Sequence, residues 1–338
     1  MSPPYPLLFE PILLPKVWGG RRLEQFGKKL PEKATIGESW ELADLAATSA
    51  SGAGGGAQRS VIANGPLAGK SIHDAMTDWR DKLLGSSKPA DGGGFPVLVK
   101  FLDAAENLSV QTHPSPEYAA AHAGDDAGGG SPPRLKTECW YILAAEPGSV
   151  IYKGVKPGVT RETFVKHIKD GTVADDLVAV PAVVGECHVL PSGTVHALGA
   201  GVLVAEVQTP SDTTYRVFDW GRKGRELHVE QAMACIDFGP APVAGKLPAG
   251  RTTGRLVSTA FFSIHESALP AGGVVPAPEK SAQPRVVIVL AGEVAIRDGT
   301  EAPVRVVAGS TALVPAALAQ SAQVVAKPKT RVLVVTVR

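Results

Sequence analysis

Cysteine is scarce in this chain: Cys139, Cys187 and Cys235 are the only three in 338 residues, widely spaced and without a CxxC pair. An odd count at such spacing argues against a disulfide framework and against a cysteine-type zinc ribbon, and it fits a reducing compartment. An excess of either charge is also missing, since 34 Lys and Arg stand against 33 Asp and Glu for a net charge of +1. With no long basic run to follow a phosphate backbone, a nucleic-acid partner is not expected. Long apolar runs are absent as well: no stretch reaches the roughly 18 uninterrupted apolar residues of a membrane span. The opening MSPPYPLLFEPILLPKVW is broken by five prolines and lacks the basic start of a secretory signal. The expectation is a soluble, cytoplasmic protein with no membrane partner.

What the chain has in quantity is turn residues, with 37 glycines and 28 prolines between short runs rich in Val, Ile and Leu. That punctuation predicts a mainly β protein, with strands at 97–102, 140–143, 182–190, 202–208, 286–295 and 330–337. Three helices are expected as exceptions. The first covers 71–84, with Ser71 as N-cap, apolar Ile72, Ala75, Met76, Trp79 and Leu83 at helical spacing, and Gly85 as its end. The second runs from a Thr160 cap to Gly171 and turns Phe164, Val165 and Ile168 inward, and a short third lies at 228–235.

Length points to two domains. The Pro/Gly/Ala-rich connector at 239–251 separates them, giving a first domain over 1–240 and a smaller one over 250–338. The second contains His265 as its sole histidine and no ligand cluster, so a structural role is expected, covering the first domain or forming a subunit contact. Two segments too poor in apolar residues to pack, 49–56 and 122–133, read as flexible surface excursions, the latter placed to lie over a site.

Polar residues in strand context mark that site. In the stretch LSVQTHP a two-residue period puts Gln111 and His113 on one face, and in KTECWYIL it does the same for Lys136 and Glu138. A Pro-Ser-Gly turn leads into a strand carrying His196, and EVQTPSDTTYRVFDWGR places Glu206 and Gln208 together before Asp212, Arg216 and Asp219. Two imidazoles, a carboxylate and an amide oxygen form an N/O donor set suited to Zn²⁺ or another borderline first-row ion. The plainer readings stand beside it. A single histidine is more often hydrogen-bonded than a ligand, which is how His73, His122, His167 and His228 are read. Gln111 can satisfy a strand edge, and Glu138 can pair with Lys136 or Arg216.

The same stretches resemble the type I mannose-6-phosphate isomerases, in the short bacterial form without a large helical insertion. The resemblance rests on VWGG (17–20), GESWELAD (37–44), FPVLVKFLDAAENLSVQTHP (95–114), KTECWYIL (136–143), PSGTVHALGAG (191–201) and EVQTPSDTTYRVFDWGR (206–222), in family order. It implies a cupin-type jelly roll holding one zinc by Gln111, His113, Glu138 and His196, Gln111 being the least firmly assigned ligand in short members, while the strand-like runs of 250–338 read as a second, smaller jelly roll. It further implies Arg216, Lys136 and Glu206 as catalytic groups, and Ser109 and Lys100 at the substrate phosphate. Leu198 stands where long-form members carry a tyrosine, so a role for that phenol is absent, and the 122–133 loop is longer and more acidic than the family pattern.

The implied reaction interconverts mannose 6-phosphate and fructose 6-phosphate through an enediol, which needs an oxyanion stabiliser and a base that returns its proton. Glu206 and Lys136 both qualify as base, with the preference for Glu206 and Lys136 as relay. Two other classes compete: a non-catalytic metal- and sugar-binding cupin, and an Fe(II) cupin oxygenase, which two histidines and one carboxylate would also serve. The expected partner is a small sugar phosphate, and the expected assembly a monomer or small homo-oligomer.

Overall fold

The structure is a computed structural model that describes residues 2–48, 53–124, 132–276, 282–299 and 302–338. It is mainly β, with two cupin-like jelly rolls built from facing antiparallel sheets. In the first, the strands Leu177–Pro181, Val150–Val155, His196–Leu198, Val110–Thr112 and Tyr215–Phe218 lie side by side. Opposite them run Cys187–Leu190, Glu138–Ala145, Val202–Gln208, Leu98–Ala104, Glu38–Leu42 and Ile12–Leu14. The second roll pairs Thr311–Val314, Arg285–Ala291, Thr330–Val337, Phe262–Leu269 and Thr253–Ser258, with a three-stranded sheet of Val304–Val307, Glu293–Arg297 and Gln323–Ala326 beside it. The N-terminal strand Leu7–Leu8 joins this second roll by pairing with Thr311–Val314.

The Glu138–Ala145 strand shows why the two rolls pack together. Side chains of a strand alternate between faces. Trp140 and Ile142 therefore enter the interior of the first roll with Leu102, Leu190, Leu198 and Val204. Cys139 and Tyr141 point the other way, into a core shared with Phe262, Ile264, Ile288 and Leu333 of the second roll. A strand buried on both faces has no solvent side and holds its register tightly.

Several expected elements are corrected. Only Cys187–Leu190 of the 182–190 run is strand; 182–186 is a turn through Gly185 at φ 90° that leads in from Leu177–Pro181 of the facing sheet. Likewise 286–295 divides into Arg285–Ala291 and Glu293–Arg297 at Gly292 (φ 77°), where a Cβ would meet Lys329 O at 2.5 Å. The first helix runs over Ile72–Trp79 with the expected Ser71 capping box, but Arg80 at φ 47° breaks it from Asp81–Leu84. Helix Arg161–Asp170 has its Thr160 cap and Gly171 end, with Phe164 and Ile168 buried and Val165 only partly so. The third helix, Val229–Cys235, is present. A fourth, Pro116–Ala121, was not anticipated, although Ser115 caps it and proline occupies its first turn.

All three cysteines are free and buried. No helix among the described residues is long and apolar enough to cross a membrane. Of the two expected surface excursions, 49–52 and 125–131 lie outside the described residues.

Candidate active site

Strand register alone sets out the site. Across one sheet of the first roll, Lys153, His196, Gln111 and Arg216 stand in a row as direct cross-strand neighbours. Across the facing sheet, Trp40, Lys100, Glu206, Trp140 and His188 form a second row. Glu138 lies opposite Gln208, two residues along from the Trp140–Glu206 pair and on the same face. Between the rows is a pocket lined by Ser109, Gln111, Lys136, Glu206 and Arg216 on predicted positions, and by Glu38 and Trp40 among others.

His113, Glu138 and His196 converge, all buried, with their ligand atoms within 4.8 Å of one another. Nε2 of His196 is 3.1 Å from Glu138 Oε1, and Nε2 of His113 is 3.4 Å from Oε2. The other nitrogen of each ring faces a backbone carbonyl: His113 Nδ1 is 2.9 Å from Thr213 O, and His196 Nδ1 is 2.8 Å from Thr194 O. A carbonyl only accepts, so each Nδ1 carries the proton and each Nε2 presents its lone pair to the cluster. Burial, and then the charge of Lys136, lower the His113 pKa to about 3, which keeps this imidazole neutral. Neither Glu138 oxygen accepts a well-aligned hydrogen bond, although both are buried. Burial works against the Glu138 charge, but Lys136, with Nζ 2.7 Å from Oε2, outweighs it and holds the carboxyl well below its usual range.

Gln111 reaches this cluster through its amide nitrogen, 3.4 Å from His196 Nε2, while Oε1 accepts from Ser109 Oγ at 3.2 Å. Ser109 in turn accepts from Arg216 Nε at 3.2 Å, and Arg216 Nη1 donates to Glu226 O at 2.8 Å. The structure thus pairs Glu138 with Lys136, leaving Arg216 to Ser109 and Glu226 O.

On the opposite wall Glu206 is buried. Trp140 Nε1 donates to its Oε2 at 2.7 Å, and Lys100 Nζ lies 3.3 Å from its Oε1. Burial, reinforced by the Glu138 charge, raises the Glu206 pKa. Lys100 also meets Glu38 Oε2 at 3.5 Å and sits over the Trp40 ring. Burial opposes its charge, but Glu38 and Glu206 prevail and hold Lys100 above the ordinary lysine range.

The chain as a whole is similar to known proteins. A model of the phosphomannose isomerase type I catalytic domain matches residues 9–129. The mannose-6-phosphate isomerase of Streptococcus mutans is 36% identical over 307 residues, covering 88% of this chain and 88% of that protein. The chain belongs to the type I mannose-6-phosphate isomerase family. A crystal structure of the mannose 6-phosphate isomerase from Bacillus subtilis superposes with a TM-score of 0.79 at 26% identity, covering 98% of this chain and 99% of that one. The fold is also that of the Salmonella typhimurium enzyme bound to fructose 6-phosphate and zinc, at 18% identity and a TM-score of 0.73, covering 98% and 99% of the two chains.

Within this family member, the sequence reading overlooked several groups. Glu38 lines the pocket, accepts from Trp40 Nε1 at 2.7 Å and ion-pairs with Lys16 at 3.4 Å. Burial opposes its charge, but Lys100 and Lys16 draw its pKa down to about 2. The signal was available in ESWEL, where a two-residue period puts Glu38 and Trp40 on one face. Trp140 and the carbonyls of Thr194 and Thr213 were also missed, and a backbone carbonyl carries no residue-type signal. The four histidines read as hydrogen-bonded fall outside the cluster: His73 meets Asp44, His167 meets Asp176, His122 faces Tyr118 O, and His228 Nδ1 accepts from Arg216 N. Asp212 lines the pocket, whereas Asp219 is tied to Arg222 and Arg225.

Proposed function

We propose that this protein interconverts mannose 6-phosphate and fructose 6-phosphate with one Zn²⁺ per subunit. The observation that carries the reading is a divided pocket. One side presents the Nε2 lone pairs of His113 and His196, and the facing sheet presents Glu138 to the same point and, beside it, Glu206, a buried carboxylate with a raised pKa. His113, Glu138 and His196 suit zinc by donor type, by carbonyl-fixed tautomers and by carboxylate oxygens without aligned donors. Gln111 supplies a fourth donor once its amide turns over and brings Oε1 toward the cluster. Zinc bound there supplies Lewis-acid stabilisation of negative charge developing on the sugar oxygens.

The chain's own groups do the proton work. Glu206 takes the proton from C2 of the open-chain aldose and returns it to C1, while the hydroxyl proton passes from O2 to O1 with Lys136 as relay. The raised Glu206 pKa makes it a stronger base than an exposed carboxylate. Arg216, held by Ser109 and Glu226 O, offers fixed donors to the enediol oxygens. Lys100 and Ser109 anchor the phosphate, so binding energy gathered away from the reacting carbons orients them.

The division into a catalytic domain over 1–240 and a smaller domain over 250–338 belongs to the same proposal, with the second domain backing the strand that carries Glu138. A cytoplasmic monomer or small homo-oligomer acting on a small sugar phosphate, without nucleic-acid or membrane partners, completes it.

The test is turnover of mannose 6-phosphate by purified protein before and after chelation, then after zinc is restored. Loss and recovery of activity are expected, unchanged by removal of oxygen. A zinc-loaded protein without turnover would favour a sugar-binding cupin, and oxygen-dependent turnover would favour an Fe(II) oxygenase.

A further inference from the structure

Trp140 is buried on the wall that carries Glu138 and Glu206, and it reaches across to His196 on the other. Its Nε1–H donates to Glu206 Oε2 at 2.7 Å, and its ring meets the His196 imidazole edge to face, with centroids 5.3 Å apart at 84°. The contact follows from register. Trp140 is the direct cross-strand neighbour of Glu206, and Glu138 precedes it by two residues on the same face of one strand. The two Glu206 oxygens are therefore unlike. Oε2 is occupied by the indole, whereas Oε1 accepts no hydrogen bond of good geometry and has Lys100 Nζ at 3.3 Å.

We infer that Trp140 is a positioning residue that locks the Glu206 carboxylate by Oε2, making Oε1 the proton-accepting oxygen, and aligns it with the His196 imidazole. The inference rests on the reading of Glu206 as the base. The indole N–H favours the charged carboxylate, as does Lys100, while burial and the Glu138 charge oppose it. The other charged groups facing this carboxylate are Lys136, beside Glu138, and Glu38, reached through Lys100. Fixing one oxygen holds the other at a set angle to the substrate carbon, and such alignment is a large part of what a base contributes.

The experiment is Trp140→Phe in the zinc-loaded enzyme. Phenylalanine keeps a ring against His196 and removes the N–H. Zinc content and KM are expected to stay near wild type. The kcat should fall about tenfold, the scale of one hydrogen bond to a charged group. The acid limb of the kcat–pH profile should rise by about one unit, because losing the donor favours the protonated carboxyl. Replacing Trp140 by 3-benzothienyl-alanine, which keeps the indole shape without the N–H, should give the same shift if phenylalanine disturbs folding. Zinc loss in proportion to activity, or an unmoved acid limb in both variants, would overturn the inference. Glu206→Gln separates it from the reading beneath it. A zinc-loaded Glu206→Gln enzyme that still turns over sinks Glu206 as base. An inactive one, with unmoved limbs in the Trp140 variants, sinks the role of Trp140 alone.

Discussion

Nζ of Lys136 lies 2.7 Å from Oε2 of Glu138, and the same ammonium is 3.1 Å from His113 Nε2. A fixed cation thus stands beside two of the groups that would hold a metal, Glu138 and His113. Like charges at such separation repel strongly in a buried site, so metal and ammonium compete for this carboxylate.

Lys136→Met is therefore expected to bind zinc at least as tightly as wild type. Its turnover should fall about a hundredfold or more, as for loss of a proton relay. Zinc titration against a competing chelator, with kcat measured on the loaded protein, checks both halves. Weaker zinc binding would mean that the lysine supports the metal rather than competing with it.

Removing a donor should act differently from removing Arg216. Glu138→Ala and His196→Ala are expected to purify without stoichiometric metal and without activity. Arg216→Ala, whose contacts are Ser109 and Glu226 O, should keep metal and lose about two to three orders of magnitude in kcat. Metal analysis decides: an Arg216→Ala protein without zinc contradicts this division of roles.

Lys100→Gln tests the phosphate anchor. Loss of one charge-assisted hydrogen bond should raise KM for the sugar phosphate about tenfold. If kcat fell while KM held, Lys100 would be acting on its ion-pair partner Glu206 instead.

Acid should destabilise the metal-free protein in a stated window. His113 has a folded pKa of about 3 against an ordinary 6.5, so below 6.5 the unfolded chain takes the proton first and stability falls with pH. Glu38, drawn from 4.5 to about 2, adds a loss of the same sign below 4.5. Glu206 runs the other way, because its raised pKa lets the folded protein take the proton first. The net expectation is a loss on the order of a few kcal/mol between about pH 6.5 and 4.5, from the depressed imidazole. Denaturant titrations across that range check it, and His113→Gln should flatten the slope. An equal slope in the variant would assign the loss to other groups.

Much of the site was legible because strand alternation is a local rule. Gln111 with His113, and Glu206 with Gln208, share faces by counting residues, and Ser71 and Thr160 cap their helices by type and spacing. The breaks at Gly185, Arg80 and Gly292 were less legible, because the apolar pattern runs through each while the backbone turns. Glu38 was overlooked since its neighbour Lys100 is 62 residues away in sequence, and only the pairing of their strands brings them together.

The sequence by itself determined a mainly β chain, its candidate donors and the family to which it belongs, since these depend on residue type and short-range order. Tertiary structure alone decided that Glu138 meets Lys136 rather than Arg216, that Thr194 and Thr213 carbonyls set the histidine tautomers, and that Trp140 joins Glu206 to His196. Those outcomes depend on the register between strands far apart in the chain and on how two sheets face each other, and no local pattern encodes either.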